Sequence, residues 1–232
     1  MFLVAFSGLD IRVSRLFFDH GFFMASQGWT KLLHVSVPWF VFASMACVAA
    51  VYGFNRLWGR HLWGIDGKKV VYLLLVLALG AGFLVNGMLK NEFGRARPRD
   101  ILEFGGTAHF TPAYVISTEC SRNCSFSSGD AAGAFFALAF LVAMSRKRVV
   151  TTVAVGYGVL VSAARIASGA HFLSDNIVSF FIMLLVADAL YYRMFLFDPG
   201  PAVITLAPAP ALAIVPVPAV IIGTSEKPSA SR

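Results

Sequence analysis

Three short segments of this sequence hold side chains whose types and spacing could do chemistry. One of them contains Arg165, His171 and Asp175. His171 and Asp175 are four residues apart, one turn of a helix, so the carboxylate could hold the imidazole in a single tautomer. It would also stabilise the positive charge that develops when the other ring nitrogen attacks an electrophile. The segment therefore indicates a nucleophilic histidine beside a cation; the alternative is a histidine with a purely structural role.

A second segment begins at Lys90 and ends at Pro98. Lys90 and Arg97 are seven residues apart, so on a helix they would share a face at roughly 10 Å along the axis, and Pro98 would end that helix. Two cations arranged in this way suit a phosphate, which an arginine can bind through two nitrogens. The alternative is that both side chains extend towards lipid headgroups.

The third segment is Ser127, Ser128, Gly129 and Asp130, directly before an apolar run. Hydroxyl groups and a glycine at the start of a helix expose backbone N–H groups that can bind an anion. The alternative is ordinary helix capping, with Ser127 as the N-cap and Asp130 as the third helical residue. The residues alone leave both interpretations open.

Taken in chain order, the three segments have the forms Lys-x6-Arg-Pro, Ser-Gly-acid and Arg-x5-His-x3-Asp. This order resembles the signature of the type 2 phosphatidic acid phosphatase (PAP2) superfamily of integral membrane proteins. The resemblance implies that His171 attacks phosphorus to form a phosphohistidine and that Asp175 orients it. The groups that it assigns to phosphate binding are Lys90, Arg97, Ser128, Gly129 and Arg165. It implies neither a metal nor another cofactor.

One departure from the family pattern concerns Asp130. The family usually has Pro-Ser-Gly-His in this block, where the histidine protonates the leaving oxygen, and this chain has Ser127 and Asp130 at the first and last positions. An aspartic acid donates a proton at neutral pH only when burial raises its pKa. Three roles for Asp130 stay open: an acid, a base that positions water, or a helix cap.

An acidic residue in this block, together with a cysteine pair upstream, resembles the bacterial lipid A phosphatases of the superfamily. The pair is Cys120 and Cys124, which are close in the chain and would face an oxidising compartment, so a disulfide is plausible. Lipid A is therefore the leading predicted substrate of a phosphoric monoester hydrolase. The alternatives are undecaprenyl diphosphate, phosphatidate and phosphatidylglycerol phosphate, or a membrane protein that binds anionic lipid without cleaving it.

The composition indicates a membrane protein. The chain has 232 residues, of which 58% are hydrophobic and 13% charged, whereas a soluble domain is about 25% charged. A soluble globule, a disordered chain and a coiled coil are therefore excluded. We expect an all-α helix bundle that spans the membrane five times, since a span needs about 20 apolar residues. The runs that predict the spans are residues 35–54, 70–89, 131–144, 149–164 and 177–197.

The two ends of the chain differ from this central part. Residues 1–34 mix aromatic and charged side chains, which is typical of an amphipathic helix lying in the membrane interface. Residues 35–197 form the predicted membrane-embedded phosphatase domain. Residues 198–232 are rich in proline and alanine and are expected to be a flexible tail, because each proline removes a backbone donor.

The chain has a net charge of +7, and the distribution of its basic residues among the loops predicts the orientation. Basic residues at 55–69 and 145–148 lie on the same side of a five-span protein, and the positive-inside rule places that side in the cytoplasm. The phosphate-binding segments then face the periplasm from a bacterial inner membrane. The expected partners are the bilayer and a phosphorylated membrane lipid, with no nucleic acid, and the sequence does not predict an oligomeric state.

Overall fold

The computed structural model describes residues 7–144 and 148–197. Within these ranges the regular structure is helical, in agreement with the all-α prediction. The described residues also contain two isolated β-bridges, which pair Phe18 with Phe22 and Ile101 with Ala108. The predicted flexible tail, residues 198–232, lies outside the described ranges.

Seven helices build the described part of the chain. They are α1 (Gly8–Arg15), α2 (Gly28–Trp58), α3 (Gly67–Glu92), α4 (Gly129–Phe135), α5 (Ala137–Met144), α6 (Arg148–Ala167) and α7 (Leu173–Tyr191). The segment Leu77–Leu89 of α3 is π-helical, and α7 continues as a π-helical turn over Tyr192–Leu196.

Three of these helices are long and apolar enough to cross a membrane: Gly28–Trp58, Gly67–Glu92 and Leu173–Leu196. The segments Gly129–Phe140 and Thr151–Ala167 are also apolar but shorter. The long helices coincide with three of the five apolar runs, so hydropathy located them correctly.

The N-terminal region differs from the predicted single amphipathic helix. Among the described residues 7–27, the helix is Gly8–Arg15, and α2 begins at Gly28, so His34 belongs to the first long helix. Between the two helices, the rings of Phe18 and Phe22 pack against Phe104 with centroids 5.1 and 5.3 Å away. This aromatic cluster folds the chain back on itself, which a continuous helix would not allow.

Small residues bring α4 into the centre of the bundle. Ala131, Ala132 and Ala134 are fully buried. A side chain at Gly133 would lie 2.6 Å from Val37 of α2, and one at Gly158 of α6 would lie 2.1 Å from the ring of Phe135. Helices approach this closely only where side chains are absent or small. The first turn of α4 is thereby placed against the ends of its neighbours.

Candidate active site

The ends of five helices meet on one side of the bundle, around the first turn of α4. Asp130 of α4 contacts His34, near the start of α2, with 3.1 Å between Oδ1 and Nδ1. Its Oδ2 lies 2.9 Å from Nε of Arg165, at the end of α6. Nζ of Lys90, at the end of α3, is 3.4 Å from the point where Gly129 would carry a Cβ. The backbone N–H of Ser128, the residue before α4, points to the carbonyl of Asp175 in the first turn of α7, at 3.5 Å.

His171 is the buried centre of this region, with 1% of its surface exposed. Its Nδ1 lies 2.8 Å from the backbone carbonyl oxygen of Ser125. A carbonyl oxygen can only accept, so Nδ1 must carry the proton, and the neutral ring then has its lone pair on Nε2. Burial lowers the pKa of His171, although Asp175 opposes this, because a buried imidazolium loses its hydration. The result is a neutral imidazole with a nucleophilic Nε2.

Asp175 lies beside His171, as the four-residue spacing predicted, but the two residues are not on one turn of a helix. His171 precedes the N-cap of α7, Phe172, so the two residues do not share a helical turn. Oδ2 of Asp175 accepts from the backbone N–H of Phe172 at 2.8 Å, whereas it lies 3.7 Å from Nδ1 of His171. Ser125 links the two, since its hydroxyl donates to Oδ2 of Asp175 at 2.5 Å and its carbonyl accepts from His171.

Arg95 holds the other oxygen of this carboxylate, and it was not among the predicted site residues. Its guanidinium is 1% exposed and lies 2.5 Å from Oδ1 of Asp175 and 2.8 Å from Oδ2 of Asp10. It also donates to the hydroxyl of Ser174 at 2.9 Å and to the carbonyl of Thr111 at 2.7 Å. All three guanidinium nitrogens therefore donate hydrogen bonds, and Arg95 supports Asp175 from within the protein.

Asp10 extends this network to the N-terminal helix. Its carboxylate accepts from the backbone N–H of Ser174 at 2.9 Å and from the Ser174 hydroxyl at 2.6 Å. Together with Arg95, these contacts fix α1 against the first turn of α7. The segment around Asp10 also contains Arg12, Arg15 and Asp19, so its composition did not single out Asp10, and no spacing rule connects Asp10 to Arg95, which is 85 residues away.

The cations that the sequence assigned to phosphate lie together, although not on one helix. Helix α3 ends at Glu92, and Arg97 is in an extended segment with φ −80° and ψ 156°. Gly94 turns the chain, with φ +55°. Arg97 and Arg165 nevertheless both lie within electrostatic reach of Lys90.

Lys90 and Arg97 differ in whether their charged groups already have partners within the protein. Within the described residues, Lys90 makes no hydrogen bond or ion pair through its ammonium group, which leaves it available to an anion. Arg97 donates from Nε and Nη2 to the carbonyl of Asn123 at 3.2 and 2.8 Å. Burial lowers the pKa of Arg97, with Arg99 and Arg165 adding to the effect. A cluster of cations held this close together favours a doubly charged anion between them.

The serine segment caps α4, one residue later than predicted. Ser128 is the N-cap and its hydroxyl accepts from the N–H of Ala131 at 3.2 Å, so Asp130 is the second helical residue. Ser127, the predicted cap, has a buried hydroxyl with no partner among the described residues. A Cβ at Gly129 would lie 2.7 Å from Oδ1 of Asn86, so glycine lets the Asn86 side chain approach the first turn of α4.

The cysteine pair supports Arg97. Cys120 and Cys124 form a disulfide, and Asn123, whose carbonyl binds Arg97, lies inside the loop that it closes. Cys47, the remaining cysteine, is free and exposed. Among the residues that the structure describes, no group of three or more His, Cys, Asp or Glu side chains could hold a metal ion.

Comparisons with known proteins identify a family and several relatives. The family model of the PAP2 superfamily matches residues 69–198. A lipid A 4'-phosphatase of Francisella tularensis subsp. novicida (strain U112) is 32% identical over 208 residues, which is 83% of this chain and 90% of that protein. A lipid A 4'-phosphatase of Rhizobium etli is 30% identical over 205 residues, 80% of this chain and 79% of that protein.

A further relative, a lipid A 4'-phosphatase of Rhizobium leguminosarum, is 38% identical over 125 residues, 53% of this chain and 54% of that protein. A similar fold occurs in the crystal structure of the first transmembrane PAP2 type phosphatidylglycerolphosphate phosphatase from Bacillus subtilis. The TM-score is 0.55 at 21% identity, and the match covers 85% of this chain and 90% of that one.

Proposed function

The chain belongs to the PAP2 superfamily and is a membrane lipid phosphatase, and from this premise we propose that it removes the 4'-phosphate of lipid A. The observation that carries the catalytic part is the buried, neutral ring of His171, with Nδ1 bonded to the Ser125 carbonyl and with Arg97 and Arg165 in electrostatic reach. The choice of lipid is supported by three relatives named lipid A 4'-phosphatase, which are 30–38% identical to this chain.

In the proposed reaction, Nε2 of His171 attacks phosphorus while the bond from phosphorus to the lipid oxygen breaks. The positive charge that develops on the ring is stabilised through Nδ1–H and the Ser125 carbonyl, with the Asp175 carboxylate 3.7 Å away. Lys90, Arg97 and Arg165 hold the phosphoryl oxygens. Water then attacks the phosphohistidine, phosphate leaves, and the ring returns to its neutral form.

The apolar surroundings of the site suit a substrate with acyl chains. A cavity of about 580 Å³ lies between α4, α6 and α7 and includes Ile166 and Leu173, which follow Arg165 and His171 closely in the chain. Its other lining residues include Phe135, Val159, Phe180 and Phe181. An amphiphile with its phosphate at His171 could place an acyl chain in this groove, whereas a water-soluble phosphate ester would leave it unused.

We further propose five spans in a bacterial inner membrane, formed by α2, α3, α4 with α5, α6 and α7. The site lies at the start of α2, α4 and α7 and at the end of α3 and α6, as alternating spans require. Arg56, Arg60, Lys68 and Lys69 lie around the link from α2 to α3, at the opposite end, which suits the cytoplasm. A disulfide at the site end suits the oxidising periplasm.

The experiment that tests the substrate is a panel of lipids with the full-length protein in detergent micelles. Lipid A, undecaprenyl diphosphate, phosphatidate and phosphatidylglycerol phosphate are each supplied, and released phosphate and the remaining lipid are measured by mass spectrometry. We expect phosphate release from lipid A, with loss of the 4'-phosphate, and none from any lipid with His171→Ala. Release from another lipid only would contradict lipid A as the substrate while keeping the phosphatase.

A further inference from the structure

His34 contacts the carboxylate that pairs with Arg165, and the mechanism above does not use it. It lies on α2, far from the three sequence segments, and reaches Asp130 with 3.1 Å between Nδ1 and Oδ1. Its side chain is 51% exposed, against 18% for that of Asp130. Within the described residues, its Nε2 has no hydrogen-bond partner, so this nitrogen is open to a substrate.

Asp130 connects this ring to the phosphate site. Its second carboxylate oxygen lies 2.9 Å from Nε of Arg165, and both Asp130 and Arg165 act electrostatically on Lys90. The carboxylate of Asp130 therefore lies between the imidazole of His34 and the cations that would hold the phosphoryl group. Lys31, on the same helix, is exposed and adds a further charge nearby.

The reaction needs a proton donor at this place. The leaving oxygen of a sugar or lipid phosphate is a poor leaving group unless it is protonated, and a positioned acid contributes about 100-fold to 10,000-fold. Lys90, Arg97 and Arg165 are needed to hold the phosphate charge, and His171 is the attacking group. Asp130 presents Oδ1 to His34 and pairs Oδ2 with the guanidinium of Arg165, so both of its oxygens are already engaged. An imidazole is the side chain whose ordinary titration range is closest to neutral pH.

We propose that His34 is the general acid of the reaction and that Asp130 is the residue that positions it. Asp130 accepts the Nδ1–H of His34 and so turns Nε2–H towards the leaving oxygen. This inference rests on the proposed phosphatase function and adds to it a catalytic group outside the three segments. It also gives Asp130 a role: the carboxylate holds an imidazole brought in by α2.

The proton balance is complete in both steps. In the first, the bond from His171 Nε2 to phosphorus forms, the bond from phosphorus to the lipid oxygen breaks, and the proton on His34 Nε2 moves to that oxygen. In the second, neutral His34 takes a proton from water while its oxygen attacks phosphorus. The bond from phosphorus to His171 then breaks, phosphate leaves, and His34 is protonated again.

The test compares two substrates whose leaving groups differ. The full-length wild-type protein, His34→Ala and His61→Ala are assayed in detergent micelles on lipid A and on 4-nitrophenyl phosphate, which releases a stable phenolate that needs no proton. His61 is the matched control, an exposed histidine in the link between α2 and α3, at the other end of the bundle. Because kcat/KM covers the steps up to release of the leaving group, it measures the contribution of the general acid to that release.

We expect His34→Ala to lower kcat/KM on lipid A by about 100-fold or more and to leave kcat/KM on 4-nitrophenyl phosphate close to that of the wild type. His61→Ala should match the wild type on both substrates. Wild-type kcat/KM of His34→Ala on lipid A would overturn the proposal. An equal fall on both substrates would also overturn it, because it would show a structural role for His34.

Failure of the proposed function gives a different result. If the wild type releases phosphate from another lipid and not from lipid A, the substrate assignment is wrong, and the comparison with the aryl phosphate is made on that lipid. The acid role of His34 is then decided by the same pair of kcat/KM ratios. A wild-type protein inert towards every lipid overturns the phosphatase itself.

Discussion

Nη1 of Arg95 lies 2.5 Å from Oδ1 of Asp175, and these two side chains are 1% and 0% exposed. The same guanidinium binds Asp10 of the N-terminal helix, so one buried cation lies between two buried carboxylates. This arrangement holds the carboxylate beside His171 without using Lys90, Arg97 or Arg165. The surroundings of His171 thus depend on residues near the start of the chain.

Replacing Arg95 by leucine should therefore destabilise the protein strongly. It leaves Asp10 and Asp175 buried without their shared cation, and breaking a buried ion pair in this way costs about 3–5 kcal/mol. The measurement is the unfolding temperature in detergent, with Arg99→Leu as the control, since Arg99 is 53% exposed and lies 3.8 Å from Asp100. Equal unfolding temperatures for the two variants would contradict the supporting role of Arg95.

The pH dependence of phosphoenzyme formation should reflect the buried state of His171. Burial lowers its pKa, so the ring stays neutral and nucleophilic as the pH falls through about 6.5, the ordinary histidine value. We expect the acidic limb of kcat/KM on lipid A to lie below pH 6.5 once ionisation of the substrate phosphate, measured by phosphorus NMR, is taken into account. A limb above that pH would contradict a neutral, desolvated ring.

Gly94→Ala should disrupt the turn that carries the chain from α3 to Arg95 and Arg97. Gly94 has φ +55°, and an added Cβ would lie 1.9 Å from the carbonyl oxygen of Ser117, which is a severe steric clash. The left-handed backbone alone costs about 1–2 kcal/mol for alanine, and the clash adds to it. Thermal unfolding and lipid A turnover should both fall. Gly156→Ala is the matched control, because its Cβ would meet nothing within 4 Å; similar losses in both would refute this account.

Removing the disulfide should weaken phosphate binding more than folding. The carbonyl oxygen of Asn123, between Cys120 and Cys124, accepts two hydrogen bonds from Arg97. A looser loop would hold this carbonyl less precisely. The double replacement of both cysteines by serine should lower kcat/KM up to about 10-fold, or about 1.4 kcal/mol, the order of one hydrogen bond to a charged group. Cys47→Ser is the control. A double variant that keeps wild-type kcat/KM would contradict the link to Arg97.

The sequence predicted the all-α fold class and picked out residues that lie close together in the structure, because each depends on local patterns. Long apolar runs locate α2, α3 and α7, and the three segments contain Lys90, Arg97, Arg165 and His171, which the structure brings together. Their detailed geometry was less predictable. The argument that Lys90 and Arg97 share a helix was wrong, since Gly94 ends the helical conformation before Arg97.

What the sequence could not show are contacts between distant segments. Asp10 meets Ser174 across 164 residues and His34 meets Asp130 across 96, and no periodicity within a segment encodes such a pairing. Ser125 contributes to the site through its backbone carbonyl, which every residue has, so its type carried no signal for that contact. The support of the site therefore emerges only from the packing of α1, α2 and α7.

The most direct test of the central claim is to trap the phosphorylated enzyme. The wild-type protein is mixed with lipid A, quenched in alkali within one turnover, and digested for mass spectrometry, since a phosphohistidine survives base. We predict phosphate on His171, none on other histidines, and none anywhere in His171→Ala, which should also release no phosphate. Turnover by His171→Ala, or a phosphorylated wild-type residue other than His171, would contradict the account.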